Sequence, residues 1–129
     1  MLFTHKPGDK ITLFFAVKEN DTAKFEAVEV HPVYATFALG RDAEWTTRQF
    51  VLSMKEPNEE GIGTFLHIQH QSPALLGQNV KITAIFDTIK GNEIICNFDV
   101  SVGERLIAFG STGQKILKKE KLKSLFDSL

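Results

Sequence analysis

The sequence is poor in several features that would point to specific classes of protein. It has one cysteine, Cys96. A lone thiol excludes an internal disulfide, so the chain is expected in a reducing, cytoplasmic compartment. No run approaches the roughly 18 apolar residues needed to span a bilayer. The opening stretch, Met1 to Gly8, lacks the apolar core of a secretory leader. Charge of one sign is not in excess either: 15 Lys and Arg face 16 Asp and Glu, for a formal net charge of -1. A nucleic-acid binder normally shows a basic imbalance, so neither nucleic acid nor membrane is expected as a partner. There is no Walker loop, no dinucleotide-type glycine motif and no zinc-ligand spacing. No cofactor and no metal are therefore implied. Trp and Tyr occur once each, whereas Phe occurs 11 times. That bias fits a Phe-packed core, or else an apolar ligand channel.

What is present reads as an ordinary globular domain. Apolar residues make up 43% and charged residues 24%. The length fits one domain over 1–129, long enough to bury a core without staples. After the Pro7-Gly8-Asp9 turn, Ile11 to Val17 reads as a strand. Residues 24–37 read as a long irregular loop, with Phe25, Val28, Val30, Pro32 and Tyr34 scattered through it. Ala38 to Met54 reads as a helix, because Leu39, Ala43, Thr46, Phe50 and Met54 fall on one side. Only Gly40 argues against it, and Pro57-Asn58 stops it. Ile62 to His70, Val80 to Phe86 and Ile94 to Val102 alternate with period two. A fourth, mixed strand runs from about Arg105 to Leu117, and Lys90-Gly91-Asn92 and Val102-Gly103-Glu104 are hairpin turns by composition. Lys118 to Leu129 reads as a short amphipathic helix. One long half-apolar helix must bury its stripe, and the only large apolar surface available is the sheet face. The fold class is therefore α+β: an antiparallel sheet wrapped around one central helix, which is the hotdog architecture.

Several stretches then resemble one hotdog family. Val33-Tyr34-Ala35-Thr36-Phe37-Ala38-Leu39 runs into Glu44-Trp45 on the helix, and Gly63-Thr64 leads to His70 and then Gly77. Thr36 to Glu44 is eight residues, Gly63 to His70 seven, and His70 to Gly77 seven. With the opening from Pro7 and the stretch Val17 to Ala23, this is similar to the fluoroacetyl-CoA thioesterase-like group from about Pro7 to Gly110. The resemblance implies a thioester hydrolase that splits an acyl-CoA into a free acid and coenzyme A without a cofactor. It implies Thr36, Glu44 and His70 as catalytic residues, and Phe37, Gly63, Thr64 and Gly77 as substrate-binding ones. Two departures stand out. Phe37 replaces the Pro frequent after the family's Ala-Thr, and Ser111-Thr112-Gly113-Gln114 follows Gly110 where the family tends to carry Thr-His and then Arg. The alternative in another class is a non-catalytic hotdog module that binds acyl-CoA or an acyl carrier. A hydratase ranks below both.

The residues have their own chemistry. His70 is in phase with Ile62, Thr64, Leu66 and Ile68, so it is either a core histidine or a general base. Glu44 lies at the margin of the helix stripe. It either pairs with Arg41 or Arg48, or points into the helix–sheet seam. There it could orient His70 or attack the thioester itself. Asp42 competes with it for the role of helix carboxylate. Thr36, just before the predicted helix, is a cap or a hydroxyl that holds water or substrate. Free N–H groups at the helix start would favour an oxyanion. Cys96 reads as a small buried hydrophobe. His5, His31 and His67 read as structural or solvated. The lysines at 115, 118, 119, 121 and 123 read as a solvated face, or as a contact for the phosphates of coenzyme A. A homodimer is expected through the edge strand Gly63 to His70, with the site near the interface. The loop from Phe25 to Tyr34 is expected to cover the acyl end.

Overall fold

In the computed structural model, residues 1–25 and 28–129 are described. Chain order is β1 (Lys10–Ala16), a short 3-10 turn (Glu19–Asp21), β2 (Thr22–Phe25), β3 (Val28–Tyr34), α1 (Thr36–Met54) and β4 (Glu59–His70). Then come β5 (Asn79–Lys90), β6 (Glu93–Val102), β7 (Arg105–Lys118) and α2 (Lys119–Asp127). Five strands form one antiparallel sheet in the order β1-β5-β6-β7-β4. Its inner face holds α1, in the hotdog arrangement that the order of elements predicted.

The alternation of the strands explains the packing. In β5, Val80, Ile82, Ala84 and Phe86 are buried while their neighbours are less covered. In β6, Ile94, Cys96, Phe98 and Val100 are the inward set. The helix answers with two groups of side chains. Ala38, Leu39 and Ala43 pack with Ile82, Phe98 and Val100. One turn and more beyond, Phe50, Val51 and Met54 pack with Phe86, Ile94 and Ile116. Each large apolar side chain fully buried in this way contributes about 1.5–3 kcal/mol. The Cys96 thiol lies in the second group, and burial pushes it up to about 12. Such a buried thiol stays protonated at neutral pH.

Gly40, the residue that spoke against the helix, is where β4 approaches it. A Cβ on Gly40 would come within 2.9 Å of Leu66 Cδ2 and 3.3 Å of Ile68 Cδ1. The helix penalty is offset by close packing of a strand across its second turn.

Two expectations are corrected. Residues 24–37 are not one irregular loop: β2 and β3 pair as a small antiparallel hairpin, with Ala23 opposite His31 and Thr22 opposite Tyr34. The register slips at two places in β2, and Pro32 interrupts β3, so no period-two signal survives in the sequence. Residues 26 and 27, and the side chains of Phe25, Val28 and Val30, lie outside the described residues. The helix also begins two residues before Ala38, at Thr36. The apolar side of α2 is uncovered among the described residues, with Leu125, Phe126 and Leu129 exposed. No helix among them is long and apolar enough to cross a membrane.

Candidate functional site

The pair at the centre of the site is made by two chain ends meeting. Thr36 is the first residue of α1 and His70 is the last residue of β4. Thr36 Oγ1 and His70 Nε2 lie 3.0 Å apart, within hydrogen-bond reach. With the hydroxyl donating, the Nε2 lone pair accepts it and the ring proton sits on Nδ1. Thr36 is therefore not the N-cap. That position is Ala35, in extended conformation and with no side-chain cap. The first N–H groups of α1 thus have no partner within the helix, at the end where the pair lies. His70 is exposed rather than a core histidine, because the strand runs out past the helix at this end.

Two cavities flank the pair and share Thr36 as a wall. One, of about 380 Å³, adds His31, His70, Gln71 and Ser72. The other, of about 490 Å³, is lined by Lys24, Phe37, Leu66 and Ile68. Phe37 is thus placed on a cavity wall.

A polar clamp fixes the approach to Thr36. Asp42 is buried and accepts the Tyr34 hydroxyl. It also accepts Arg41 Nε at 3.0 Å, and Arg41 Nη2 reaches Asp21 at 2.9 Å. The Asp21 carbonyl takes the Ala35 N–H at 2.7 Å. Burial, then the Asp42 carboxylate, drives the Tyr34 phenol far above its ordinary range, so it remains a donor. Asp42 is therefore held by donors from Tyr34 and Arg41. Tyr34→Phe would leave a buried carboxylate one donor short, at a cost of about 1–3 kcal/mol. The expected result is a lowered denaturation midpoint together with a lowered kcat. An unchanged midpoint would remove the clamp from the account.

Glu44 lies apart from the pair within one chain. It is eight residues along α1 from Thr36, a rise of about 12 Å. Neither expected partner holds it. Arg41 is committed to Asp21 and Asp42, and Arg48 to Glu60, the Gly61 carbonyl and Gln114. Among the described residues Glu44 has no ion pair. It lines a cavity of about 680 Å³ with Arg41, Trp45 and Arg48. Its carboxylate lies over Gly63, where a Cβ would sit 2.8 Å from Oε1. Gly63 and Thr64 share a smaller cavity with it, but the Thr64 hydroxyl donates to Glu93. Gly77 shapes a turn, with φ 87 and its N–H on the Val17 carbonyl. It lines none of these cavities.

Residues that the sequence reading passed over complete the picture. Lys24, His31, Gln71 and Ser72 come to the cavities only through the hairpin and the turn after β4, neither of which carries a periodic signal. The departure after Gly110 has a structural explanation. Thr112 donates to Thr47 at 2.9 Å and Gln114 to Thr47 at 3.2 Å, a buried polar link between β7 and α1. Among the described residues no His, Cys, Asp and Glu group is placed to hold a metal.

The family model of the fluoroacetyl-CoA-specific thioesterase matches residues 17–120. A comparison with curated proteins finds no match. A solved Thermus thermophilus hypothetical protein, a thioesterase superfamily member, is 32% identical over 95% of this chain and 91% of its own, with a TM-score of 0.90. The fluoroacetyl-CoA thioesterase FlK is 22% identical over 96% of each chain, with a TM-score of 0.86. A hot-dog-like protein from Thermanaerovibrio acidaminovorans is 17% identical over 95% and 90%, with a TM-score of 0.87. The last two likenesses concern the fold alone. The family match spans most of the chain, and the Thermus relative agrees with it in sequence and shape: the chain belongs to the fluoroacetyl-CoA-specific thioesterase family.

Proposed function

We propose that this chain is a cytoplasmic acyl-CoA thioesterase whose working unit is a homodimer, with Thr36 and His70 of one subunit facing Glu44 of the other. The Thr36–His70 contact at 3.0 Å carries the reading. A hydroxyl and an imidazole in contact at the open start of a helix can place a water and take its proton. The thioester carbonyl sits at the free N–H groups of α1, which stabilise the oxyanion as it forms.

Geometry within one chain favours the dimer. β4 is an edge strand, and Gly63 to His70 carries mostly exposed residues, Phe65 and Leu66 among them. An open, partly apolar edge calls for a partner. An isologous antiparallel pairing has its twofold axis at the middle of the paired stretch. With the axis between Leu66 and His67, the partner's Gly63 falls opposite His70. The carboxylate above that glycine is the partner subunit's Glu44. This arrangement supplies the third group that a single chain keeps about 23 Å of strand away.

Two routes use that carboxylate. It attacks the carbonyl, expels coenzyme A as the thiolate and leaves an acyl anhydride, which water activated by His70 then hydrolyses. Alternatively it holds the His70 imidazolium as a water attacks directly. Free acid and coenzyme A are the products of both. The reading is tested with a panel of acyl-CoAs and a disulfide reagent that reports the freed thiol, run beside light scattering. Turnover by a particle of twice the 14.5 kDa chain mass is expected. Tight binding without thiol release would favour the non-catalytic module, and a monomer mass would remove the composite site.

A further inference from the structure

The two cavities at the Thr36–His70 pair differ in chemistry, and the difference bears on the substrate. A thioester held at the pair has two arms, the acyl group on one side and pantetheine on the other. The cavity beside Phe37, Leu66 and Ile68 is apolar, and Lys24 is the one charged side chain among the described residues that line it. It suits the methylene and methyl groups of pantetheine, with a cation on the way out toward the phosphates. It also adjoins β4, the edge proposed to meet a partner. The other cavity lies under the β2–β3 hairpin and the Ser72-Pro73 turn. There the exposed His31 and His70 share the wall with Gln71. No carboxylate occurs among the described residues that line it, whereas the three cavities around Arg41 and Glu44 each contain one. His31 has no hydrogen-bond or ion-pair partner among the described residues. Behind the turn, Arg105 donates to Ser72 Oγ at 2.9 Å and to the Pro73 carbonyl. It also donates to Gln78 Oε1 at 3.3 Å and has no carboxylate partner among the described residues.

The geometry points to His31 as a specificity residue that receives a carboxylate at the far end of the acyl group, so that short dicarboxylic acyl thioesters are the preferred substrates. This rests on the thioesterase reading above. His31 lies across the same cavity from Thr36 and His70, so an acyl chain that extends beyond the carbonyl is needed to meet the imidazole. A two-carbon acyl group leaves this contact unmade. The unpartnered His31 imidazole, with the second N–H of the Gln71 amide whose first donates to the His70 carbonyl at 3.3 Å, gives charge-assisted bonds to an anionic terminus. An uncharged chain of the same length gains none of it and leaves those donors without an acceptor.

The test compares kcat/KM for succinyl-, glutaryl- and adipyl-CoA with butyryl-, valeryl- and hexanoyl-CoA. The dicarboxylic member of at least one matched pair is expected to lead by about 10-fold or more. In His31→Ala and His31→Gln that ratio is expected to fall to within about twofold of unity. Titration of non-hydrolysable thioether analogues of the same pairs should give the same preference in binding. A wild-type enzyme that hydrolyses both series equally, or a ratio unchanged in both variants, overturns the assignment while leaving the thioesterase reading in place. Absence of thiol release with every substrate defeats the thioesterase reading instead. In that case an equal affinity for the two analogue series defeats this one as well.

Discussion

Replacing His70 with alanine is expected to lower kcat by about 10²–10⁴-fold, the usual loss on removing a general base, while the protein stays folded. The expectation of a surviving fold comes from position. His70 is exposed at the last residue of β4, and its ring meets Thr36 rather than the core. Ala108 pairs with it through the backbone, which alanine keeps. Thr36→Ala removes only a hydroxyl that positions water and is the milder change, with Thr36→Ser restoring most of the rate. Circular dichroism and thiol release on the same samples separate the outcomes. A His70→Ala enzyme that turns over at the parent rate takes this histidine out of the chemistry.

Glu44→Gln is expected to cost as much as His70→Ala, because a nucleophilic or charge-holding carboxylate loses its charge while the side chain keeps its shape. The variant should also keep the mass of the proposed dimer, since Glu44 makes no ion pair among the described residues. The double variant should be little worse than either single one, as groups that act as a unit are non-additive. A loss below about tenfold would leave Glu44 with an orienting role only. Gly63→Ala probes the same place from the other side. Its Cβ would meet Glu44 Oε1 at 2.8 Å and push the carboxylate off line, so kcat should fall with little change in stability.

Much of the fold was legible because β5 and β6 alternate cleanly and the helix carries an apolar stripe. Gly91 and Gly103 mark the turns where composition placed them. The β2–β3 hairpin was not legible: a slipped register and Pro32 erase the period-two signal on which strand reading depends. That loss also hid His31, which looked like a loop histidine until the hairpin turned it toward the pair. Asp42 shows a second limit. Periodicity placed it on the helix but not in the clamp with Tyr34, Arg41 and Asp21, because Tyr34 and Asp21 join the clamp only by tertiary contact. Glu44 shows a third. Spacing put Thr36, Glu44 and His70 in one order, but spacing along a chain does not say which subunit's carboxylate meets which histidine.

That question has a direct measurement. His70→Ala and Glu44→Gln homodimers, each inactive, are mixed under conditions that allow subunit exchange, and thiol release is followed. If the site is built from both subunits, every heterodimer holds one site with both defects and one with neither. Random exchange then restores about a quarter of the wild-type activity. If each site drew all its groups from one chain, no heterodimer would contain an intact site. The mixture would then stay as inactive as its parents, which would contradict the composite site.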